Sequence, residues 1–133
     1  MIKKIDHIGI AVRKLEDRIP FYRDVLGLPF LEIEELSDRG LRRAGFDCGG
    51  VHIELLESTS PDTAIATFIE KKGEGLHHIA FAVEDVKKAL ESLADSGVKL
   101  IDAEPRPGAA GAKIAFLDPA STGRVLIELV EKQ

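Results

Sequence analysis

Two histidines and two glutamates recur at matching places in the two halves of this 133-residue chain. His7 lies in the segment DHIGIAV and His78 in HHIAFAV, while Glu54 lies in VHIEL and Glu128 in VLIEL. Imidazole and carboxylate groups together form a ligand set that suits Zn²⁺, Co²⁺, Mn²⁺, Fe²⁺ or Ni²⁺. A histidine segment followed by a glutamate segment, once in each half, indicates one module that was duplicated and fused.

The alternation of side chains along a strand predicts that these four residues share one face of a sheet. On each histidine strand, one face carries bulky residues and the other face carries the histidine together with very small residues. The small residues are Gly9 and Ala11 in the first copy and Ala80 and Ala82 in the second. The aliphatic positions of the glutamate segments lie opposite the glutamates and suit packing under a helix. We therefore predict one divalent-metal site, on a sterically open side of the sheet, bound by His7, Glu54, His78 and Glu128. His77 has the opposite parity and is expected outside this site, whereas His52 shares the face of Glu54 and is a candidate pocket residue.

The remaining pattern predicts the order β-α-β-β-β twice. The predicted helices are 15–26, 60–72 and one that begins after Asp85, and the predicted strands are 3–12, 28–37, 41–48, 50–57, 76–83, 98–103, 112–117 and 124–131. Pro20 is compatible with the first helix if that helix begins near Asp17. Ser60 and Pro61 are predicted as the N-cap and first residue of the second helix. The fold class is therefore α+β, with two tandem β-α-β-β-β modules that form one curved, half-closed barrel sheet with helices outside. We expect a single domain over 1–133, with module one at 1–58, a linking helix at 60–73 and module two at 75–133.

Composition narrows the possible partners. Charged residues make up 31% of the chain and hydrophobic residues 44%, as in ordinary globular proteins. A net charge of −5 argues against sequence-independent nucleic-acid binding, which needs a basic face. One cysteine, Cys48, excludes an internal disulfide and a cysteine-based metal site. We find no signal peptide and no apolar run long enough for a membrane, so we expect a cytoplasmic protein with no membrane or nucleic-acid partner.

Over its whole length the chain resembles the vicinal oxygen chelate superfamily, and within it the methylmalonyl-CoA epimerase family. The stretches that carry the resemblance are DHIGIAV at 6–12, FYRDVLGL at 21–28, IELLES at 53–58, GLHHIAFAV at 75–83 and KIAFLDPASTGRVLIEL at 113–129. The resemblance implies that His7, Glu54, His78 and Glu128 are the metal ligands, the same four residues that the strand pattern selects. It also implies an acyl-CoA substrate, a homodimer, and one Co²⁺, Mn²⁺, Zn²⁺ or Ni²⁺ ion.

The chain departs from the epimerase pattern at several positions. Ala110 stands in a glycine-rich loop where the family commonly has histidine, Asp118 begins Asp-Pro-Ala in place of His-Pro-Lys, and Arg124 interrupts a Gly-Gly-Val stretch. Alignment from Gly40 puts Arg43 where one bacterial epimerase type has a catalytic glutamate. These differences leave one of the two bases unassigned.

The predicted reaction is removal of the proton α to a thioester and its return on the opposite face. A divalent ion stabilises the enolate charge, and two groups must reach opposite faces of the reacting carbon. Glu128 and Glu54 are our candidates for these catalytic groups, and His52, Arg43 and Lys113 are candidate substrate-pocket residues. Three other functions of the superfamily remain open: a glyoxalase I-type lactoylglutathione lyase, a ring-cleaving dioxygenase, and a metal-free drug-binding protein. A ring-cleaving dioxygenase needs only two histidines and one glutamate, and the intact set of four ligands argues against both this function and the metal-free one.

Overall fold

The computed structural model describes residues 1–133. Eight strands and three helices follow the predicted order β-α-β-β-β in each half. They are β1 (Ile2–Val12), α1 (Leu15–Pro20), β2 (Phe30–Leu36), β3 (Leu41–Cys48), β4 (Val51–Ser58), α2 (Ala64–Lys72), β5 (Gly75–Val83), α3 (Val86–Asp95), β6 (Arg106–Pro107), β7 (Lys113–Leu117) and β8 (Ile127–Glu131). The chain contains two compact units: the first unit is His7–His77, and the second unit is Met1–Asp6 with His78–Gln133. None of the three helices has the length and apolarity that a membrane span requires.

In the first unit the hydrogen-bonded strand order is β2-β3-β4-β1. β2 and β3, and β3 and β4, pair antiparallel, and β1 runs parallel to β4. Gly49 and Gly50, both at positive φ, form the predicted turn between β3 and β4, because a two-residue hairpin turn requires that conformation. The strand face with the bulky residues packs against α1, as predicted, in a cluster of Val12, Leu15, Ile19, Ala44, Phe46 and Leu55.

The first helix differs from its prediction. It begins at Leu15, not near Asp17, and its α-helical part ends at Pro20. The proline has no N–H to continue the helix and its ring crowds the preceding turn. Residues Phe21–Val25 therefore form a wider π-helical turn, closed by the hydrogen bond from the Leu26 N–H to the Phe21 carbonyl.

The linking helix α2 covers the other face of the first unit. Ile65 packs there against Ala11 and Leu56. The predicted N-cap, Ser60, was wrong: the helix begins at Ala64, and the Thr63 hydroxyl accepts the cap hydrogen bond from the Ala66 N–H at 3.0 Å. Residues 60–62 form a turn before it.

In the second unit the strand order is β5-β8-β7-β6, with β5 parallel to β8 and the other pairs antiparallel. The predicted cap Asp85 accepts a hydrogen bond from the Lys88 N–H, and α3 buries Val86, Ala89 and Leu90 against the sheet. The predicted strand at 98–103 was wrong. Only an isolated bridge joins Leu100 to Leu117, because the N–H groups of residues 101 and 102 both donate to the Phe116 carbonyl and the regular ladder is interrupted.

The glycine-rich segment before β7 is a tight structural turn. A Cβ on Gly108 would lie 2.7 Å from the Ile114 side chain, so only glycine fits there. Ala110 has a φ of +55°, a conformation that costs energy for a residue with a Cβ. Packing on Ile114 of β7 thus accounts for the glycine at position 108.

Candidate metal centre

The first unit places one histidine beside one glutamate. β1 and β4 run parallel with Gly9 directly across from Glu54, so no side chain on β1 covers the carboxylate. His7, two residues earlier, projects on the same face, and its Nε2 lies 3.7 Å from Glu54 Oε1. Both residues are buried, at 8% and 9% exposure. The small residue predicted on this face is therefore what allows the two groups to approach.

The second unit repeats this arrangement with a shorter contact. Ala80 of β5 lies directly across from Glu128 of β8, and His78 Nε2 is 3.1 Å from Glu128 Oε1. Their exposures are 8% and 6%. Phe116 of β7 lies across from Glu128 on the other side, and its ring meets the His78 imidazole edge to face at 6.0 Å. An aromatic ring thus holds the histidine against the carboxylate.

Three of the four predicted ligands meet the distance requirement of a metal site. Ligand atoms of His7, His78 and Glu128 all lie within 4.8 Å of one another. A buried carboxylate needs a positive partner, and two neighbouring imidazoles with a carboxylate are suitable ligands for a divalent ion. This group of side chains could therefore hold a metal ion. Glu54 is outside this group but in contact with His7, so its role as fourth ligand stays a prediction.

Arg43 of β3 is the charged neighbour of the first pair. Its Nη1 lies 3.7 Å from Glu54 Oε1, and its Nη2 donates to Glu34 of β2 at 2.8 Å. Burial lowers the pKa of the Arg43 guanidinium, but the carboxylates of Glu54 and Glu34 raise it by more, so the net pKa lies above its ordinary value. The side chain is 19% exposed and stays charged beside the site.

The other candidates occupy different positions. His52 lies across from His7 in the ladder and is partly buried. Lys113 is exposed and has the strand parity of Ala115 and Leu117, which pack toward α3, so the register turns it away from the face of Glu128. His77 packs its ring on Phe68 of α2 at 5.2 Å.

Phe116 and Glu34 are neighbours of the site that were not predicted from the sequence. Phe116 could have been found, because alternation along 113–117 puts it on the face opposite to Ala115 and Leu117. Glu34 could not, since its pairing with Arg43 depends on the irregular register between β2 and β3 near Phe30 and Glu32.

The Glyoxalase/Bleomycin resistance protein/Dioxygenase superfamily matches residues 6–116. The chain belongs to this superfamily, whose members are also called vicinal oxygen chelate proteins. A solved structure described as methylmalonyl-CoA epimerase in complex with methylmalonyl-CoA and NH4+ matches 99% of this chain and 96% of its own, with a TM-score of 0.88 and 37% identity. The predicted α+β fold class, that of the vicinal oxygen chelate proteins, is thereby confirmed.

Within the superfamily the chain is similar to methylmalonyl-CoA epimerases, as its sequence predicted. It is 34% identical over 131 residues to the ethylmalonyl-CoA/methylmalonyl-CoA epimerase of Cereibacter sphaeroides, covering 97% of this chain and 98% of that protein. It is 46% identical over 130 residues to the uncharacterized protein YqjC of Bacillus subtilis, covering 98% and 93%.

Proposed function

We propose that this protein epimerises methylmalonyl-CoA by removing and returning the proton α to the thioester. The observation that carries the proposal is the pair of buried histidine–glutamate contacts, at 3.7 and 3.1 Å, at duplicated positions of a chain similar to methylmalonyl-CoA epimerases. Epimerisation needs one group on each face of the reacting carbon, and the duplication supplies two equivalent carboxylates.

One divalent ion, held by His7, Glu54, His78 and Glu128, is part of the proposal. When bound, such an ion supplies electrostatic stabilisation of the negative charge that develops on the thioester oxygen. The suitable ions are Co²⁺, Mn²⁺, Zn²⁺ and Ni²⁺.

Glu128 is the proposed first base. Its carboxylate takes the α-proton as the C–H bond breaks, and the electron pair of that bond passes into the enolate. A proton delivered to the opposite face re-forms the C–H bond with inverted configuration, and Glu54 is the proposed donor. Both carboxylates are buried, which keeps bulk water away from the place where the proton would be transferred.

The test is incubation of the metal-loaded protein with one epimer of methylmalonyl-CoA in D₂O, followed by mass spectrometry. We expect deuterium at the α-carbon together with racemisation. With the epimer whose proton Glu128 removes, Glu128→Gln should retain a ligand oxygen but lose both exchange and racemisation, whereas Glu54→Gln should lose racemisation because the donor on the opposite face is gone. If both variants keep metal, full exchange and racemisation, the two glutamates act as ligands only. If the wild type shows no exchange but converts a glutathione hemithioacetal, the lyase function replaces the epimerase function.

The substrate, assembly and location form the rest of the proposal. An acyl-CoA thioester is the expected ligand, a homodimer the expected state in solution, and the cytoplasm the expected compartment. Sedimentation equilibrium tests the homodimer, and a monomer throughout the micromolar range would exclude it.

A further inference from the structure

We propose that Arg106 is a positioning residue for the second histidine–glutamate pair: through the ring of Phe116 it holds the His78 imidazole in the orientation that binds a metal ion. This inference rests on the proposed metal centre and adds to it a residue outside the four ligands. Arg106 lies in β6, the edge strand of the second unit, and its side chain is 52% exposed. Its positive charge opposes the binding of a nearby cation, so any gain in metal binding from this residue must come through geometry.

The register of the second unit places Arg106 beside Phe116. Arg106 pairs with Ile114 of β7, and Phe116 is two residues further along β7. Residues two apart on a strand share a face, and a long side chain reaches the diagonal neighbour on the adjacent strand. The Arg106 guanidinium carbon lies 5.1 Å from the centre of the Phe116 ring, within the range of a cation–π contact.

Asp102 fixes both partners of this contact. Its Oδ2 accepts a hydrogen bond from the Phe116 N–H at 2.8 Å and lies 3.3 Å from Arg106 Nε. The Phe116 carbonyl accepts from the N–H groups of residues 101 and 102. At the place where the predicted strand 98–103 is interrupted, one carboxylate therefore joins the backbone of Phe116 to the guanidinium that lies over its ring.

The ring held in this way is the one that contacts the proposed ligand. The rings of Phe116 and His78 meet at 81° with their centres 6.0 Å apart, and His78 Nε2 lies 3.1 Å from Glu128 Oε1. Edge-to-face aromatic pairs have a preferred geometry, so a phenyl ring that cannot turn restricts the imidazole beside it. An imidazole that is already oriented loses less conformational freedom when an ion binds, and groups that orient metal ligands therefore contribute to metal affinity.

The preceding histidine provides a matched control in the first unit. The rings of Phe68 and His77 meet at 81° with their centres 5.2 Å apart, and Lys72 Nζ lies 5.6 Å from the centre of the Phe68 ring. A cation, a phenyl ring and an imidazole follow one another here as well, but His77 is not a proposed ligand. Lys72→Gln therefore removes one positive charge and one cation–π contact at a histidine outside the proposed metal centre.

Calorimetric titration of Co²⁺ into the metal-free protein measures the effect on affinity. Loss of a positive charge alone should tighten Co²⁺ binding, so charge and positioning predict opposite signs for Arg106→Gln. We expect this variant to bind Co²⁺ about two- to fivefold more weakly than wild type, the fold-change that corresponds to one exposed cation–π contact. Arg106→Lys should keep most of the wild-type affinity, because lysine retains a cation, and Lys72→Gln should bind no more weakly than wild type.

Phe116→Leu tests whether Arg106 acts through the ring. Leucine keeps an apolar side chain without a ring face, and we expect it to weaken Co²⁺ binding about tenfold. In that background Arg106→Gln should cause no further loss. Proton–carbon NMR of the histidine rings in the metal-free protein gives a second readout, which does not depend on metal. The His78 ring signals, assigned with His78→Ala, should shift in Arg106→Gln, whereas those of His77 should not.

A Co²⁺ affinity of Arg106→Gln equal to or above that of wild type overturns the inference. An equal loss in the Phe116→Leu background does the same, since Arg106 would then act without the ring, and so do an equal loss in Lys72→Gln and unchanged His78 signals. If wild type binds Co²⁺ and exchanges the α-proton but Arg106→Gln binds Co²⁺ as wild type does, the proposed function stands and only this inference fails. If wild type binds no Co²⁺, the proposed metal centre and this inference both fail.

Discussion

The two units bury the same pair of functional groups but surround them differently. In the first, Glu54 has Arg43 and the bare backbone of Gly45 as neighbours, whereas in the second, Glu128 has Phe116 and the apolar Ile114 at the corresponding positions. The shared parts are those that position histidine and glutamate, namely a parallel strand pair with a very small residue across from the carboxylate. The duplicated backbone therefore positions the histidine and the glutamate in the same way in both units, and only the neighbours of each pair differ.

The helices show the same contrast. In both units a glutamate of the last strand accepts a hydrogen bond from the first N–H of the helix: Glu57 from Leu15, and Glu131 from Val86, each at 2.9 Å. The second unit adds a local cap, Asp85, while Lys14 at the same place in the first unit makes no side-chain cap. In the first unit a glutamate from a distant segment, Glu74, lies near the helix start instead. Its carboxylate accepts hydrogen bonds from the Arg13 N–H and from the Arg18 side chain.

The largest expected effect concerns metal binding, where the two units should be equally necessary. His7→Ala and His78→Ala each remove an imidazole from the proposed site, and we expect bound Co²⁺ or Mn²⁺ after dialysis to fall to near zero in both. His77→Ala is the matched control, because His77 packs on Phe68, and its metal content should stay close to wild type. Plasma mass spectrometry gives the stoichiometry. Unchanged metal in either ligand variant would refute the assignment.

Core truncation should also affect both units alike. Leu55 and Leu129 occupy corresponding positions on the glutamate strands and are 0% and 1% exposed beneath α1 and α3. Leu55→Ala and Leu129→Ala should each reduce the free energy of unfolding by about 2–5 kcal/mol. Urea unfolding measures this, with the half-exposed Leu31→Ala as a control expected to change it by less than about 0.5 kcal/mol. A cost below about 1 kcal/mol in one unit only would show that its core relaxes around the cavity.

The sequence alone predicted the parts of this arrangement that depend on local alternation. The side-chain faces of His7, Glu54, His78 and Glu128 follow from a period of two, which neighbouring elements cannot alter without exposing the bulky face. The helix-side clusters confirm those faces. Whether all four side chains bind one ion stays a prediction.

The features that the sequence did not predict depend on competition between neighbouring groups. Ser60 and Thr63 are both acceptable caps, and Thr63 is the one whose oxygen reaches a helical N–H. Residues 98–103 have a strand-like composition, but Asp102 accepts the hydrogen bond of the Phe116 N–H and ends the ladder there. Pro20 permits either a later start or a widened turn, and the buried positions of Leu15 and Ile19 favour the second.

Each helix begins with an N–H that donates to a glutamate of the last strand. Replacing this glutamate should lower the free energy of unfolding by less than core truncation does, and by different amounts in the two units. Glu57→Ala and Glu131→Ala both leave a helix N–H without its acceptor, and each should lower the free energy of unfolding by about 0.5–2 kcal/mol. Glu57→Ala should cost more, because its carboxylate also binds Arg42 at 3.2 Å, whereas α3 keeps its Asp85 cap. Thermal or urea unfolding gives the two values, and Glu57→Gln and Glu131→Gln, which retain an acceptor oxygen, separate the hydrogen bond from the charge. Equal costs would show that the Arg42 contact adds nothing.

The smallest expected effect is a dependence of stability on pH, which Glu74 should cause in the first unit only. The hydrogen bond from the Arg13 N–H, helped by Arg18, holds the pKa of Glu74 below its ordinary value of 4.5, although burial acts in the opposite direction. Because the folded pKa is depressed, the resulting stability is complete above the unfolded pKa and disappears as the pH falls through the folded one.

Glu74→Gln should therefore be slightly less stable than wild type at neutral pH, and this difference should shrink steadily on acidification below the unfolded pKa. Asp85→Asn is the matched variant of the second unit. Asparagine caps a helix about as well as aspartate, so its stability should follow wild type more closely over the same range. Urea unfolding at a series of pH values measures both differences. A Glu74→Gln difference that stays constant down to the most acidic pH would mean that its cause is lost packing, and that the carboxylate charge does not stabilise the start of the first helix.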